Sequence, residues 1–207
     1  MTTPAAAPAP AAPALLLVDL MPRVLGLPLA PYDGDLVLRR CRALAACFRA
    51  RGLPVVQIRV DRPGVDQQPP GSGFAEGLVA PGDVEIVKQT LGAFHGTSLH
   101  EELGLRGVRT VVLAGVVTTM GVESTARAAL DLGYDVEFVA DAMSGFAADE
   151  HDLTVQRIFP RLGEVRNAAA YGALPAGPAG PAHSRTAGPA HSRTAGPADS
   201  RTAEVSG

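Results

Sequence analysis

A chain of 207 residues is long enough for one well-buried core and short for two. Its 18 basic and 21 acidic side chains leave a net charge of -3, which provides no electrostatic footprint for nucleic acid or an anionic membrane and favours a small neutral or anionic metabolite as partner. No apolar run reaches the length of a bilayer span, and the Ala/Pro start lacks the basic and apolar regions of a secretory signal, so cytoplasmic residence is expected.

Residues 1–13 are Ala, Pro and Thr after the first Met, a composition with nothing to bury, and are expected to form a loose arm. Residues 14–174 hold the folded domain, about 160 residues. Its first apolar run, Leu15 to Val18, reads as a strand ending in Asp19. Asp35 to Arg51 places Val37, Cys41, Leu44 and Phe48 on one helical stripe, with Gly52 as the stop. Cys41 and Cys47 point in different directions on that helix and are read as small buried hydrophobes.

Val55 to Val60 and Val84 to Val87 are the next strands, the latter running into Lys88. The loop Gly92-Ala93-Phe94-His95-Gly96-Thr97 follows, and Ser98-x-x-Glu101 has the pattern of a capping box opening a short helix to Arg106. Val108 to Ala114 reads as a central strand, Thr119 to Leu132 as a helix, Val136 to Ala140 as a strand whose end carries a turn-capping Asp141, and Glu150 to Leu162 as a helix. A short strand is expected near Val165. Residues 175–207 carry three copies of an eight-residue Ala-Gly-Pro-Ala-His-Ser-Arg-Thr unit, with His183 and His191 in the first two and Asp199 in the third; this composition predicts a disordered tail.

Alternating strands and helices predict a single-domain α/β fold: a doubly wound, mainly parallel six-stranded sheet with helices on both faces. Ligands of such folds sit outside the carboxyl ends of the strands, where strand order reverses. Asp19, Lys88 and the turn from Gly115 to Gly121 all follow strands at that edge. A carboxylate there persists only if it is paired or its pKa rises, so Asp19 is a base if the Lys88 contact dominates and an acid if desolvation does. The amides of Val116 to Gly121 open a helix and suit a carboxylate or a developing oxyanion. Gly121 either allows close approach of a ligand or joins Thr125 and Ala128 in a stripe for tight helix packing. Glu123 and Arg127, four apart, are expected to pair with each other.

Three ordered segments, Leu15-Leu16-Leu17-Val18-Asp19, Glu85-Ile86-Val87-Lys88 with the Gly92 to Leu99 run, and Ala114 to Arg127, together resemble the isochorismatase-like hydrolases over Ala14 to Ala173. The resemblance implies catalytic Asp19, Lys88 and a nucleophile position at Gly121, with Phe94, His95, Val117, Thr118, Thr119 and Met120 lining the substrate pocket. It also implies a non-proline cis peptide at Val116–Val117 and association into homo-oligomers. Most members of that family carry cysteine where this chain has Gly121, and commonly glutamine where it has Met21. Some build a metal site from an aspartate and two histidines after the second strand; here Arg59-Val60-Asp61-Arg62-Pro63 has no histidine nearby, so no metal and no cofactor are expected. Like the authentic isochorismatases, which keep the aspartate and lysine and have glycine at the nucleophile position, the chain reads as a cofactor-free hydrolase of a small molecule by acid-assisted attack of water. The wording Gly-Val-Glu-Ser-Thr-Ala-Arg resembles an uncharacterised subgroup rather than the enzymes that act on isochorismate. The alternative is a non-catalytic binding or scaffold protein that kept the pocket.

Overall fold

The computed structural model describes residues 12–173; the expected tail and most of the expected arm lie outside them. Six strands form one sheet: β1 (Ala14–Val18), β2 (Val55–Val60), β3 (Val84–Lys88), β4 (Thr110–Val116), β5 (Asp135–Ser144) and β6 (Glu164–Arg166). Their order is β3-β2-β1-β4-β5-β6 and every pairing is parallel. Strand order reverses between β1 and β4, the adjacent central pair, so a crevice opens where their carboxyl ends diverge.

Period-two alternation decides what each strand gives to each face. Leu16, Val18, Val56, Ile58, Val111 and Leu113 face one layer, and Leu15, Leu17, Val55, Val112 and Ala114 face the other. Helix α2 (Gly34–Ala50) covers the second face with the predicted stripe of Val37, Cys41, Leu44 and Phe48, all buried. Asp33 caps it by accepting the amide of Leu36 at 2.7 Å. The first face is covered by α3 (Leu99–Leu105) and α4 (Glu123–Asp131), with Phe138 and Phe159 stacked 3.8 Å apart nearer β6.

Several local details depart from the sequence reading. A four-residue helix, α1 (Pro22–Leu25), follows β1; it is too short to show periodicity, and Pro22 at its first turn is its one signal. Ser98 makes no capping bond through its side chain; Thr97 instead accepts the amide of Leu99 at 3.2 Å and donates to Ala93 O at 2.6 Å. β5 runs past Asp141 to Ser144, so Asp141 caps no turn there and accepts the amide of Ala168 at 2.7 Å. The helix expected over Thr119 to Leu132 opens with a wide turn over Thr118–Val122 before α4 proper. The one expected from Glu150 is α5 (Ala148–Leu153), then a wide turn to Ile158 and a tight turn over Phe159–Arg161, where Pro160 has no amide to continue the ladder. Among the described residues no helix is long and apolar enough to cross a membrane.

Candidate active site

Asp19 is the first residue past β1, and its backbone turns sharply out of the sheet at φ 52°, the single positive φ outside glycine among the described residues. Its amide still donates to Ile58 O at 2.8 Å, while its carbonyl accepts the amide of Met21 at 2.8 Å. The strand pairing is thereby continued on one side as the side chain leaves the sheet edge. Aspartate tolerates this left-handed backbone better than most side chains, and strained backbone of this sort gathers at functional sites.

Lys88 reaches the same place from β3. Along Val84-Glu85-Ile86-Val87-Lys88 every second residue is buried, so the lysine lies on the inward face with Val84 and Ile86 and is only 1% exposed. A buried ammonium needs partners. It has two, Asp19 Oδ2 at 2.8 Å and Leu91 O at 2.7 Å. Asp19 Oδ1 is buried without a hydrogen-bond partner among the described residues. Burial therefore raises the Asp19 carboxyl above its ordinary 3.8, outweighing the opposing charge and hydrogen bond of Lys88 and the charge of Arg23.

The third component comes from β4. Gly115 stands at φ 117°, and a Cβ there would lie 2.2 Å from Val18 O, so only glycine lets β4 approach β1 at this point. The peptide Val116–Val117 is cis, as the family resemblance implied. The chain then enters the wide turn that carries Gly121. A Cβ on Gly121 would lie 2.9 Å from Asp19 Oδ2, 3.1 Å from Val18 Cγ1 and 3.4 Å from Lys88 Nζ. The backbone of Gly121 therefore stands directly against the ion pair. Thr125, one turn on, donates to Gly121 O at 2.6 Å and accepts the Ala93 amide at 3.1 Å, tying α4 to the loop after β3. The turn reserves fewer amides for a ligand than the sequence suggests, since those of Met120 and Val122 both go to Val117 O.

A cavity of about 350 Å³ opens over this group, walled by Asp19, Lys88, Val117, Met120 and Gly121 together with Arg23. Five of the expected site residues thus share one space. The other four are not among its walls. Phe94 is buried in the core, stacked on Tyr134 with centroids 5.7 Å apart. His95 is exposed, Thr119 is half-buried, and Thr118 is fully buried with Oγ1 2.8 Å from His151 Nδ1. Those placements follow from side-chain direction, which loop sequence does not reveal. Met21 is buried and Cys41 is fully buried, its thiol pushed far up by desolvation, then by the Asp141 charge. Glu123 and Arg127 pair on the surface at 2.8 Å. Among the described residues no three His, Cys, Asp or Glu side chains gather closely enough to hold a metal ion.

The sequence reading missed Arg23. It sits four residues after Asp19 on α1, and the only signal for it was that spacing just beyond a strand end.

A model of the isochorismatase domain matches residues 13–170. The chain is 36% identical over 171 residues to YecD, an uncharacterised isochorismatase family protein of Escherichia coli O157:H7, covering 74% of this chain and 91% of that one. It is 37% identical over 146 residues to the streptothricin hydrolase of Streptomyces noursei, covering 69% of this chain and 58% of that one. The solved structure of an isochorismatase family protein from Burkholderia thailandensis superposes with a TM-score of 0.73 at 38% identity, covering 79% of this chain and 95% of that chain.

Proposed function

We propose that this chain, which belongs to the isochorismatase family of hydrolases, hydrolyses a small metabolite by non-covalent acid–base chemistry at Asp19 and Lys88. The observation that carries the reading is the environment of Gly121. The backbone of this residue stands against the Asp19–Lys88 pair, yet it offers no atom that can attack a substrate. Water must then be the nucleophile, and the group able to move a proton beside it is Asp19.

The raised Asp19 carboxyl suits it to hold a proton and deliver it to the substrate, so that the bond to the leaving group weakens as water attacks. The water's surplus proton returns to Asp19, which restores the acid without any other reactant. The Lys88 ammonium stabilises the carboxylate that each transfer exposes, and its contact with Leu91 O fixes it in place. Positioned acid–base help of this kind is worth about a hundred- to ten-thousandfold in rate.

The test is a panel of small enol ethers, esters and amides offered to the purified chain. Turnover of at least one, lost in Asp19→Asn and in Lys88→Met, supports the reading. An acyl adduct on the intact protein would overturn the non-covalent route, and saturable binding with no turnover of any member would favour the scaffold alternative.

A further inference from the structure

We infer that Arg23 selects the substrate by charge: the cavity takes a small carboxylate with an apolar body, its anionic group held on the Arg23 guanidinium. This rests on the cavity being the reaction site, and it adds a substrate class that the acid–base pair by itself leaves open.

Arg23 is held firmly at its backbone and loosely at its head. Its amide donates to Gly71 O at 3.1 Å, and a Cβ on Gly71 would come within 3.0 Å of Arg23 N, so the two segments are in close contact. The guanidinium spends one donor on Val60 O at 3.3 Å, at the end of β2. Its Nε is buried and has no partner among the described residues, and no described carboxylate lies within ion-pairing distance of it. Arginine carries five N–H donors in a planar fork that matches a carboxylate, and leaving a buried one unpaired is costly. An arginine tethered at one nitrogen and unsatisfied at another, on the wall of a cavity, is a socket for a planar anion.

Charge and surface agree with that reading. Among the described residues, Asp19, Lys88 and Arg23 are the only ionisable side chains on the cavity walls; the first two pair with each other, and Arg23 is left as the surplus cation. The remaining wall is largely apolar. Leu27, Leu91, Met120 and Phe146 all line it at 41–50% exposure, four of the nine large apolar side chains that the described surface leaves open. Such a concentration at one mouth suits an apolar body rather than a sugar or a bare inorganic ion. Arg23 also acts on the chemistry, since its charge lowers the Asp19 carboxyl in part. A bound carboxylate would offset that charge and push the Asp19 acid further up, readying it only when substrate is in place.

The probes are benzoate and its neutral isostere benzamide, titrated into the ¹⁵N-labelled full chain and followed by NMR. Benzoate is expected to bind the wild type at least about tenfold more tightly than benzamide, with the Arg23 Nε–Hε resonance shifting as it saturates. Arg23→Gln should weaken benzoate about tenfold or more and leave benzamide within about twofold, with Arg23→Lys between them. Asp19→Asn should still bind benzoate with the same dependence on Arg23, so a failure of the acid–base reading and a failure of this one are separately visible. Equal affinity for the two probes, no binding of either, or wild-type benzoate affinity in Arg23→Gln would overturn it. If Arg23→Gln does not fold, the wild-type comparison and the Nε–Hε shift decide the matter.

Discussion

Strand β3 has an ion pair at each end, and the two pairs behave in opposite ways. Before its first residue, Asp83 accepts Arg49 Nε at 2.9 Å, Gln57 Nε2 at 3.0 Å and the Ala80 amide at 3.1 Å. Burial pushes that carboxyl up, but the hydrogen bonds of Arg49, Gln57 and Ala80, with the Arg49 charge, outweigh it and hold it below the usual range. At the last residue, Lys88 is the one hydrogen-bonding partner of the Asp19 side chain among the described residues, and burial wins. Each aspartate has a cation beside it; the heavier desolvation at Asp19 and the larger number of donors at Asp83 together set the opposite signs. A carboxylate with both oxygens engaged is inert structure, while one with a buried, unengaged oxygen is ready to exchange a proton. The inert pair lies at the amino end of the strand and the reactive one at the carboxyl end, where doubly wound folds place their ligands.

The sharpest way to break this contrast is to make the same substitution at both sites. Asp19→Asn should cost about a hundred- to ten-thousandfold in turnover, the range of positioned acid–base catalysis. It should also cost stability at neutral pH, because the Lys88 ammonium, 1% exposed, loses its counter-charge and keeps Leu91 O. Asp83→Asn should leave turnover intact while removing about 2 kcal/mol of unfolding free energy in denaturant titrations, since charge-assisted bonds to Arg49 and Gln57 are lost from a side chain only 2% exposed. If Asp83→Asn also removes activity, the two ends of β3 are not distinct.

A smaller effect is expected at Gly121. In Gly121→Ala the new methyl would press on Asp19 Oδ2 at 2.9 Å, and the flexible carboxylate must give way. A displaced acid should lose about tenfold in kcat/KM, by analogy with the penalty for a misplaced catalytic group. Stability should change by less than about 1 kcal/mol, because alanine's better helical propensity offsets part of the contact. Unchanged kcat/KM in this variant would show that the carboxylate's present position is not the working one.

How much of this was readable beforehand depended on the kind of signal. The sheet was legible because apolar runs such as Val55-Val56 and Val111-Val112-Leu113 have no helical period, and α2 because its stripe has one. The convergence of Asp19, Lys88 and Gly121 on one edge was legible from topology, since each stands at or just past the end of a strand of a doubly wound sheet. The direction of the Asp19 shift was not, because it turns on how deeply the carboxyl is desolvated and how few donors reach it. Arg23 went unseen because a four-residue helix has no pattern to read, and Phe94 and Thr118 could not be placed because neither loop shows which way its side chains turn. The Ser98 pattern failed for a similar reason, Thr97 having taken the cap.

The smallest expected effect is the dependence of stability on pH, and its sign separates the two aspartates. A carboxyl raised by folding contributes stability that is fully present below its unfolded value near 3.8 and is lost as pH rises through the folded value; that is Asp19. A carboxyl lowered by folding contributes stability that is present above the unfolded value and is lost as pH falls through the folded one; that is Asp83. Between neutral pH and about 4, then, the two variants should part company. The wild type should gain on Asp19→Asn as pH falls through that window, while its advantage over Asp83→Asn should hold steady there and shrink only in stronger acid. Denaturant midpoints of the three proteins across this range give the comparison directly. A wild type that gains nothing on Asp19→Asn between neutral pH and about 4 would mean that Lys88, not burial, governs the acid, and that Asp19 enters the reaction as a base.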